Sequence, residues 1–345
     1  MLKVGEFPAY RSAGKYCRFV KNKRQFRRTG ERFVQMAGGL SRQETPCLSV
    51  IILNYNGAGF LRDCIRSVLS QDYPNTEVIL VDNGSADESC SIVEKEFPLV
   101  KLLKLDRNYH FSGGMNRGVK ASTGDIALLL NNDTVVQEHA LTKAMRSITG
   151  MDIDICGCGI LKLNGMRPQS SIHLYETLDF AGAAVFVRKT VWQDLGGIDE
   201  DFKTYFELKD FAIRAVLKGY KVMVEPEALI FHAGSVTTKK MSGYTLINMS
   251  RNFPMLVFKN FRLPVISAIM LSYCTSRGAL IIKLAVRRQN DDIRYRLKGS
   301  LEFVRMLPEI IEKRKAVQST RVTGDRKVVL LRDKPLLKIG IDGGF

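Results

Sequence analysis

The stretch LLLNNDTVV, residues 128–136, runs from an apolar segment straight into two amides and a carboxylate: Asn131, Asn132 and Asp133. Three more apolar runs end in a similar way. LSVIIL (48–53) is followed by Asn54 and Asn56, EVILV (77–81) by Asp82 and Asn83, and VKLLKL (100–105) by a loop carrying Asn108. Asn and Asp are ordinary loop residues after any strand. Several such clusters in the same position relative to their strands imply a rim that binds a polar ligand. SGGMNRG (112–118) brings Gly113, Gly114 and Asn116 to the start of a helix. Close backbone approach and free N–H groups there suit a phosphate or a sugar, although a glycine pair also makes a plain turn. TYFELKDF (204–211) places Glu207 and Asp210 at i and i+3, on one face of a helix. Either carboxylate could take a proton from a bound hydroxyl.

The elements that must position these residues alternate. Residues 59–71 have a helical period, with Phe60, Cys64 and Val68 on one row and Leu61, Ile65 and Leu69 on the next, and Pro74 beyond the end. Further helices are predicted over 86–97 and 114–122, with a strand over 125–130. The strands are uninterrupted apolar runs, as expected of strands covered on both faces. Strand–helix alternation at this spacing predicts an α/β fold, a Rossmann-like, mostly parallel sheet flanked by helices. In such sheets ligands bind beyond the carboxyl ends of the strands, where the polar clusters fall.

Charge divides the chain of 345 residues into three parts. Residues 1–46 carry a net +8, residues 47–238 a net −5 and residues 239–345 a net +14, for +17 in all. We therefore expect a basic N-terminal arm (1–46), a catalytic-type α/β domain (47–238) and a basic helical C-terminal extension (239–345). A basic flank attracts nucleic acid or an anionic membrane surface, unless it is merely a solvated charged tail. Here the basic residues are interleaved with long aliphatic runs and no nucleic-acid-binding motif is present, which argues for no nucleic-acid partner. The seven cysteines form no paired framework and are read as reduced thiols, and the first 30 residues lack the apolar core of a signal peptide.

The segments SVIILNYNG, EVILVDNGSAD, NYHFSGGMNRGV, LLLNNDT, DFAGAAVFVRK, GGIDEDF and FHAGS, in this order over residues 48–238, resemble the family 2 glycosyltransferases of GT-A fold, closest to their rhamnosyltransferase-like members. The resemblance implies an inverting transfer of a sugar from a nucleotide diphosphate sugar, dTDP- or UDP-linked, to a glycan or lipid-linked acceptor in surface polysaccharide synthesis. It implies that Asp82 and the loop of Asn54 and Asn56 contact the nucleoside, and that Asn131, Asn132 and Asp133 stand at the family's DxD element. Asp133 would bind a divalent cation, Mn²⁺ or Mg²⁺, with His232 completing the metal site. Gly182, in AGAA (181–184), then reads as a small-residue wall for the donor sugar, or as part of a tightly packed strand.

The chain departs from the family at the catalytic base. The family commonly has two consecutive acids, the second being the base; here Glu207 takes the first place and Leu208 the second. Glu207 or Asp210 is the candidate catalytic base, with Asp179 as another acid able to reach the site. The alternative is a catalytically impaired protein that binds nucleotide-sugar within a polysaccharide assembly complex. In the C-terminal part the longest charge-free run, 263–276, is 14 residues, shorter than the roughly 20 of a membrane-spanning helix. Amphipathic helices lying on an anionic membrane surface are expected, or else helices packed on the catalytic domain. With the resemblance, this places the chain in the cytoplasm, peripheral at the inner face of the cell membrane.

Overall fold

The computed structural model describes residues 45–161, 174–178, 182–233 and 243–330. Most of the basic N-terminal arm, Asp179 and the C-terminal tail lie outside the described residues.

The first half is a repeating β–α unit. Strands β1 (Leu48–Asn54), β2 (Thr76–Asp82), β3 (Lys101–Lys104) and β4 (Ile126–Asn131) alternate with helices α1 (Ala58–Leu69), α2 (Ser89–Glu96) and α3 (His110–Ala121). β5 (Thr134–Val136), α4 (Ala140–Gly150), β6 (Ile155–Leu161), the two-residue β7 (Tyr175–Glu176), β8 (Ala184–Arg188), α5 (Lys189–Asp194), α6 (Glu207–Leu217) and β9 (Val222–His232) follow. The nine-stranded sheet has the order β3-β2-β1-β4-β8-β6-β9-β5, with β7 beside β9. It is parallel from β3 to β4; beyond that it is mixed, with β8 antiparallel to β4 and β5 antiparallel to β9. The strand order reverses at β1, between β2 and β4, so the carboxyl ends of β1 and β4 open the crevice where ligands bind in such sheets. Both faces are covered. Leu48, Val50 and Ile52 face a core with α1, while Ile51 faces one with α3 and the helices after residue 207. Cys156 and Cys158 lie buried on β6, and the six described cysteines are free.

The C-terminal part is helical: α7 (Gly243–Asn260), α8 (Leu263–Val286), α9 (Asn290–Arg305), α10 (Leu307–Thr320) and α11 (Asp325–Leu330). α7 is an inner element of the domain. Met249, Phe253, Leu256 and Val257 join the core that contains Ile51 and Leu129. The expectation of short amphipathic helices is corrected at α8. The helix continues through Arg277 and Lys283 for 24 residues, about 36 Å, and is apolar on its outer as well as its inner side. By length and composition alone it is able to cross a membrane. Its inner row, Ile266, Ile269 and Tyr273, packs on the domain, while Leu271 and Ile282 are exposed. α9 has the expected amphipathic pattern, with Gly299 and Phe303 turned inward and Leu297, Leu301 and Val304 outward.

Candidate functional site

The polar residues after the strands converge. β1 and β2 are in register with Asn54 opposite Asp82, and Leu53 of β1 pairs with Asn131 of β4. The buried Asn54 side chain is the link: its Nδ2 donates to Asp82 Oδ1 at 3.1 Å and to Ser85 Oγ, and its Oδ1 accepts from Asn132 Nδ2 at 2.7 Å. Asp82 Oδ2 accepts the Ser85 N–H, which folds the loop after β2. Asn56, at φ 51°, accepts the Ala86 N–H and donates its own N–H to Ser85 Oγ. Gly57 is required here, because a Cβ would stand 1.9 Å from Asn132 Nδ2. Residues 54–57, 82–86 and 131–132 thus form one hydrogen-bonded rim with the order the sequence implies. Asn83 adds to it, binding Asn108 and the backbone of Tyr109 and His110.

Asp133 and His232 meet at the end of the rim. The antiparallel pairing of β5 and β9 sets Thr134 opposite His232, and the Ala233 N–H donates to Asp133 O. His232 Nε2 stands 3.2 Å from Asp133 Oδ1, with both side chains partly exposed. Adjacent ligands of one octahedral cation at about 2.1 Å lie about 3 Å apart, so this pair fits a shared ion. No group of three His, Cys, Asp or Glu side chains gathers around a metal position among the described residues. The pair is therefore a partial donor set, suited to an ion whose other ligands are phosphate oxygens and water.

Three of the expected ligand-contacting residues are engaged elsewhere. Gly113 and Gly114 lie inside α3, not before it. They serve packing: a Cβ on Gly114 would stand 2.4 Å from Leu53 Cδ1, and one on Gly113 2.9 Å from Tyr109 Cβ. Asn116 joins α3 to the segment before residue 200, donating to Ile198 O and Glu200 Oε1 and accepting the Ile198 N–H. Gly182 is exposed next to Leu208, whose Cδ1 lies 3.1 Å from where a Cβ would be.

Asp210 is corrected as a candidate base. It is fully buried, and its oxygens accept from Arg214 Nε at 2.8 Å, Lys259 Nζ at 2.9 Å and Asn260 Nδ2 at 2.8 Å. Both oxygens are committed to a network that also includes Asp199, Asp201 and Lys313. Burial works against the Asp199 charge, yet Lys259 and Lys313 hold its carboxyl well below the usual range. Leu208, at the family's base position, is a core residue.

Glu207 differs in every respect. Its Oε2 is shut off from solvent and has no hydrogen-bond partner, although the residue as a whole is partly exposed. Burial pushes its carboxyl up to about 7, against a smaller lowering by a backbone hydrogen bond. It opens α6 after a segment in which Lys203, Tyr205 and Phe206 all have positive φ (59°, 71°, 71°), a strained run for residues with side chains. That segment is pinned from α7. Asn252 Nδ2 donates to the carbonyls of Phe202, Thr204 and Tyr205 at 2.7, 2.9 and 2.7 Å, and Arg251 Nη2 also reaches Phe202 O. Sequence reasoning missed Asn252; its signal was a polar row, Asn248, Asn252 and Lys259, on one helical face.

The class this architecture defines is a GT-A-type fold, a doubly wound α/β sheet with the NND segment (131–133) at its switch point. The family model described as Glycosyl transferase family 2 matches residues 49–207. It is 32% identical over 109 residues to the uncharacterized glycosyltransferase alr2836 of Nostoc sp., covering 31% of this chain and 34% of that one. It is 23% identical over 227 residues to the O-antigen biosynthesis protein RfbC of Myxococcus xanthus, covering 56% of this chain and 18% of that one. The chain thus spans about a third or less of the length of these curated relatives. In fold it is similar to the mannosyltransferase PcManGT of Pyrobaculum calidifontis, solved with GDP-Man and Mn²⁺. The TM-score is 0.52 at 15% identity, over 81% of this chain and 94% of that one.

Proposed function

We propose that the chain is an inverting glycosyltransferase that moves a sugar from a dTDP- or UDP-linked donor to a glycan or lipid-linked acceptor in surface polysaccharide synthesis. The observation that carries this reading is Glu207, whose buried Oε2 has no hydrogen-bond partner and whose carboxyl is pushed up to about 7, at the end of a strained segment whose Lys203 carbonyl accepts from the N–H groups at the start of α3. A general base is most effective when its pKa lies near the working pH. Asp82 and Asn54 line the nucleoside side of the crevice, and Asn131 and Asn132 face the ribose and diphosphate. Asp133 and His232 would hold a Mn²⁺ or Mg²⁺ ion, which would supply positive charge toward the diphosphate leaving group. Glu207 accepts the proton of the acceptor hydroxyl. That oxygen bonds to the anomeric carbon from the face opposite the departing diphosphate, the bond to the diphosphate oxygen breaks, and the configuration inverts.

The outer faces of α8 and α9 support an acceptor presented at an anionic membrane surface. Leu271, Ile282, Leu297 and Leu301 are exposed there among Arg294, Lys298 and Arg305. This suits a peripheral position at the inner face of the cell membrane. The second reading, a non-catalytic nucleotide-sugar binding protein, draws on Leu208 at the usual base position.

The test is donor hydrolysis across a panel of UDP-, dTDP- and GDP-sugars, with and without Mn²⁺. Metal-dependent release of nucleoside diphosphate from one donor, lost in Asp133→Ala, is expected. Metal-dependent nucleotide binding with no turnover, even with acceptor supplied, would favour the binding-protein reading.

A further inference from the structure

Between the inward faces of α8 and α9 stand three polar side chains, each with a buried polar atom that has no hydrogen-bond partner among the described residues. Tyr273 and Arg277 continue the buried row of α8 that begins with Ile266 and Ile269, and Arg296 lies on the row of α9 that holds Gly299 and Phe303. The Nε atoms of Arg277 and Arg296 and the Tyr273 hydroxyl are shut off from solvent and make no hydrogen bond of good geometry. The Arg277 guanidinium carbon lies 5.0 Å from the Tyr273 ring centroid, and its charge is also felt at the Tyr273 hydroxyl. Burial and the neighbouring charge of Arg277 push Arg296 below its ordinary value. Asp292 opposes this only through space, and no carboxylate pairs with either arginine among the described residues. Two like charges, partly desolvated and unpaired, are an unfavourable arrangement by themselves. An anion between them removes the cost. Guanidinium forks match phosphate oxygens two N–H groups at a time, and a phenol adds a third donor.

We propose that Tyr273, Arg277 and Arg296 bind a phosphate or diphosphate group carried on a lipid, the group through which the sugar acceptor is anchored. This rests on the reading of the chain as a transferase to a lipid-linked acceptor. Two observations favour a lipid carrier. The exposed apolar residues Leu271 and Ile282 of α8 and Leu297 and Leu301 of α9 lie on the same two helices as the arginines. Tyr273 is also joined to the base by two ring contacts. It stacks on Phe253 at 4.8 Å, Phe253 meets Phe206 edge-on at 5.9 Å, and Phe206 precedes Glu207. A phosphate held at the arginines therefore anchors an acceptor whose sugar extends toward the base.

The experiment is vesicle co-sedimentation of the full chain, in EDTA so that the Asp133–His232 site does not contribute. Phosphatidylcholine vesicles are compared with the same vesicles carrying a polyprenyl diphosphate, and inorganic pyrophosphate serves as the free-anion arm. The wild type is expected to bind the polyprenyl diphosphate vesicles about tenfold better than the plain ones. The double variant Arg277→Gln/Arg296→Gln loses that preference and melts no lower than wild type without anion. Arg146→Gln, an exposed arginine on α4, keeps it. Equal binding by the double variant and the wild type overturns the proposal. So does a double variant that melts well below wild type without anion, because the arginines would then be structural. Wild type stabilised by inorganic pyrophosphate without any preference for the lipid-bearing vesicles overturns lipid carriage. Arginine-dependent vesicle binding without any donor turnover supports this site while counting against the transferase reading. Donor turnover with no arginine-dependent binding overturns the site alone.

Discussion

Replacing Glu207 by glutamine separates its chemistry from its cost to the fold. The folded protein holds the Glu207 proton up to about pH 7, whereas the unfolded chain releases it near the ordinary value of 4.5. Between these values the unfolded state binds fewer protons. Stability therefore falls as pH rises through this window and is level above it. The difference corresponds to about 3 kcal/mol of destabilisation at pH 8, at 1.36 kcal/mol per unit. Glu207→Gln keeps the shape of the protonated form and removes the titration. Chemical denaturation should find the variant matched to wild type near pH 4.5 and about 3 kcal/mol more stable at pH 8. Its turnover should fall by roughly 10²–10⁴, the range a positioned general base contributes. The wild-type rate should decline below about pH 7 as the carboxylate takes up its proton. A stability difference that does not change between pH 5 and pH 8 would refute the buried-acid assignment. Wild-type turnover in the glutamine variant would refute the base.

Three other substitutions test neighbouring residues. Asp210→Asn should cost about 3–5 kcal/mol in a denaturant titration, because it leaves the buried Arg214 without a carboxylate and Lys259 with Asp199 alone; a stable variant that is merely slow would return Asp210 to the chemistry. Leu208→Asp restores the acid common in the family, yet it places a charge in the core against Gly182 and should reduce the yield of folded protein; a rise in turnover would instead make Leu208 the defect of an impaired enzyme. Asn252→Ala frees three carbonyls of the strained segment, at about 1–3 kcal/mol. It should lower kcat and move the acid limb of the pH profile while nucleotide affinity is kept, and unchanged kcat and pH profile would show that the segment holds Glu207 without it.

Much of the first half of the fold is legible in the sequence because its strands are buried on both faces. LSVIIL, EVILV and DIALLL are dominated by apolar residues, with Ser49 the one polar residue inside them, and their ends announce the rim. Their pairing partners are not legible. The reversal of β8 beside β4 depends on which apolar run fills the gap, and Ala184–Arg188 resembles any short strand. Glycines 113 and 114 show a similar limit: a glycine that admits a ligand and one that admits Leu53 look alike until the partner is known. Asp210 could not be separated from Glu207 by spacing, since they share a helical face. The distinction comes from Lys259 and Asn260, about fifty residues later. The length of α8 was hidden by Arg277, which breaks an apolar run but not a helix.

The position of Asn252 bears on how the C-terminal helices relate to the chemistry. The family match ends at residue 207, where the candidate base stands. Every side-chain hydrogen bond described to the carbonyls of Phe202, Thr204 and Tyr205 comes from α7, beyond that limit. Lys259 of α7 and Lys313 of α10 then bind Asp199, and Lys259 also binds Asp210 behind the base. Three positive-φ residues within four positions persist only where their surroundings over-determine them, and here those surroundings include the C-terminal helices. An amphipathic extension that served only as a membrane foot would have no need to bury Asn252, Lys259 and Asn260 in the interior. Because α7 runs directly into α8, whose outer face is apolar, the element that fixes the base segment is continuous with the one suited to a membrane surface.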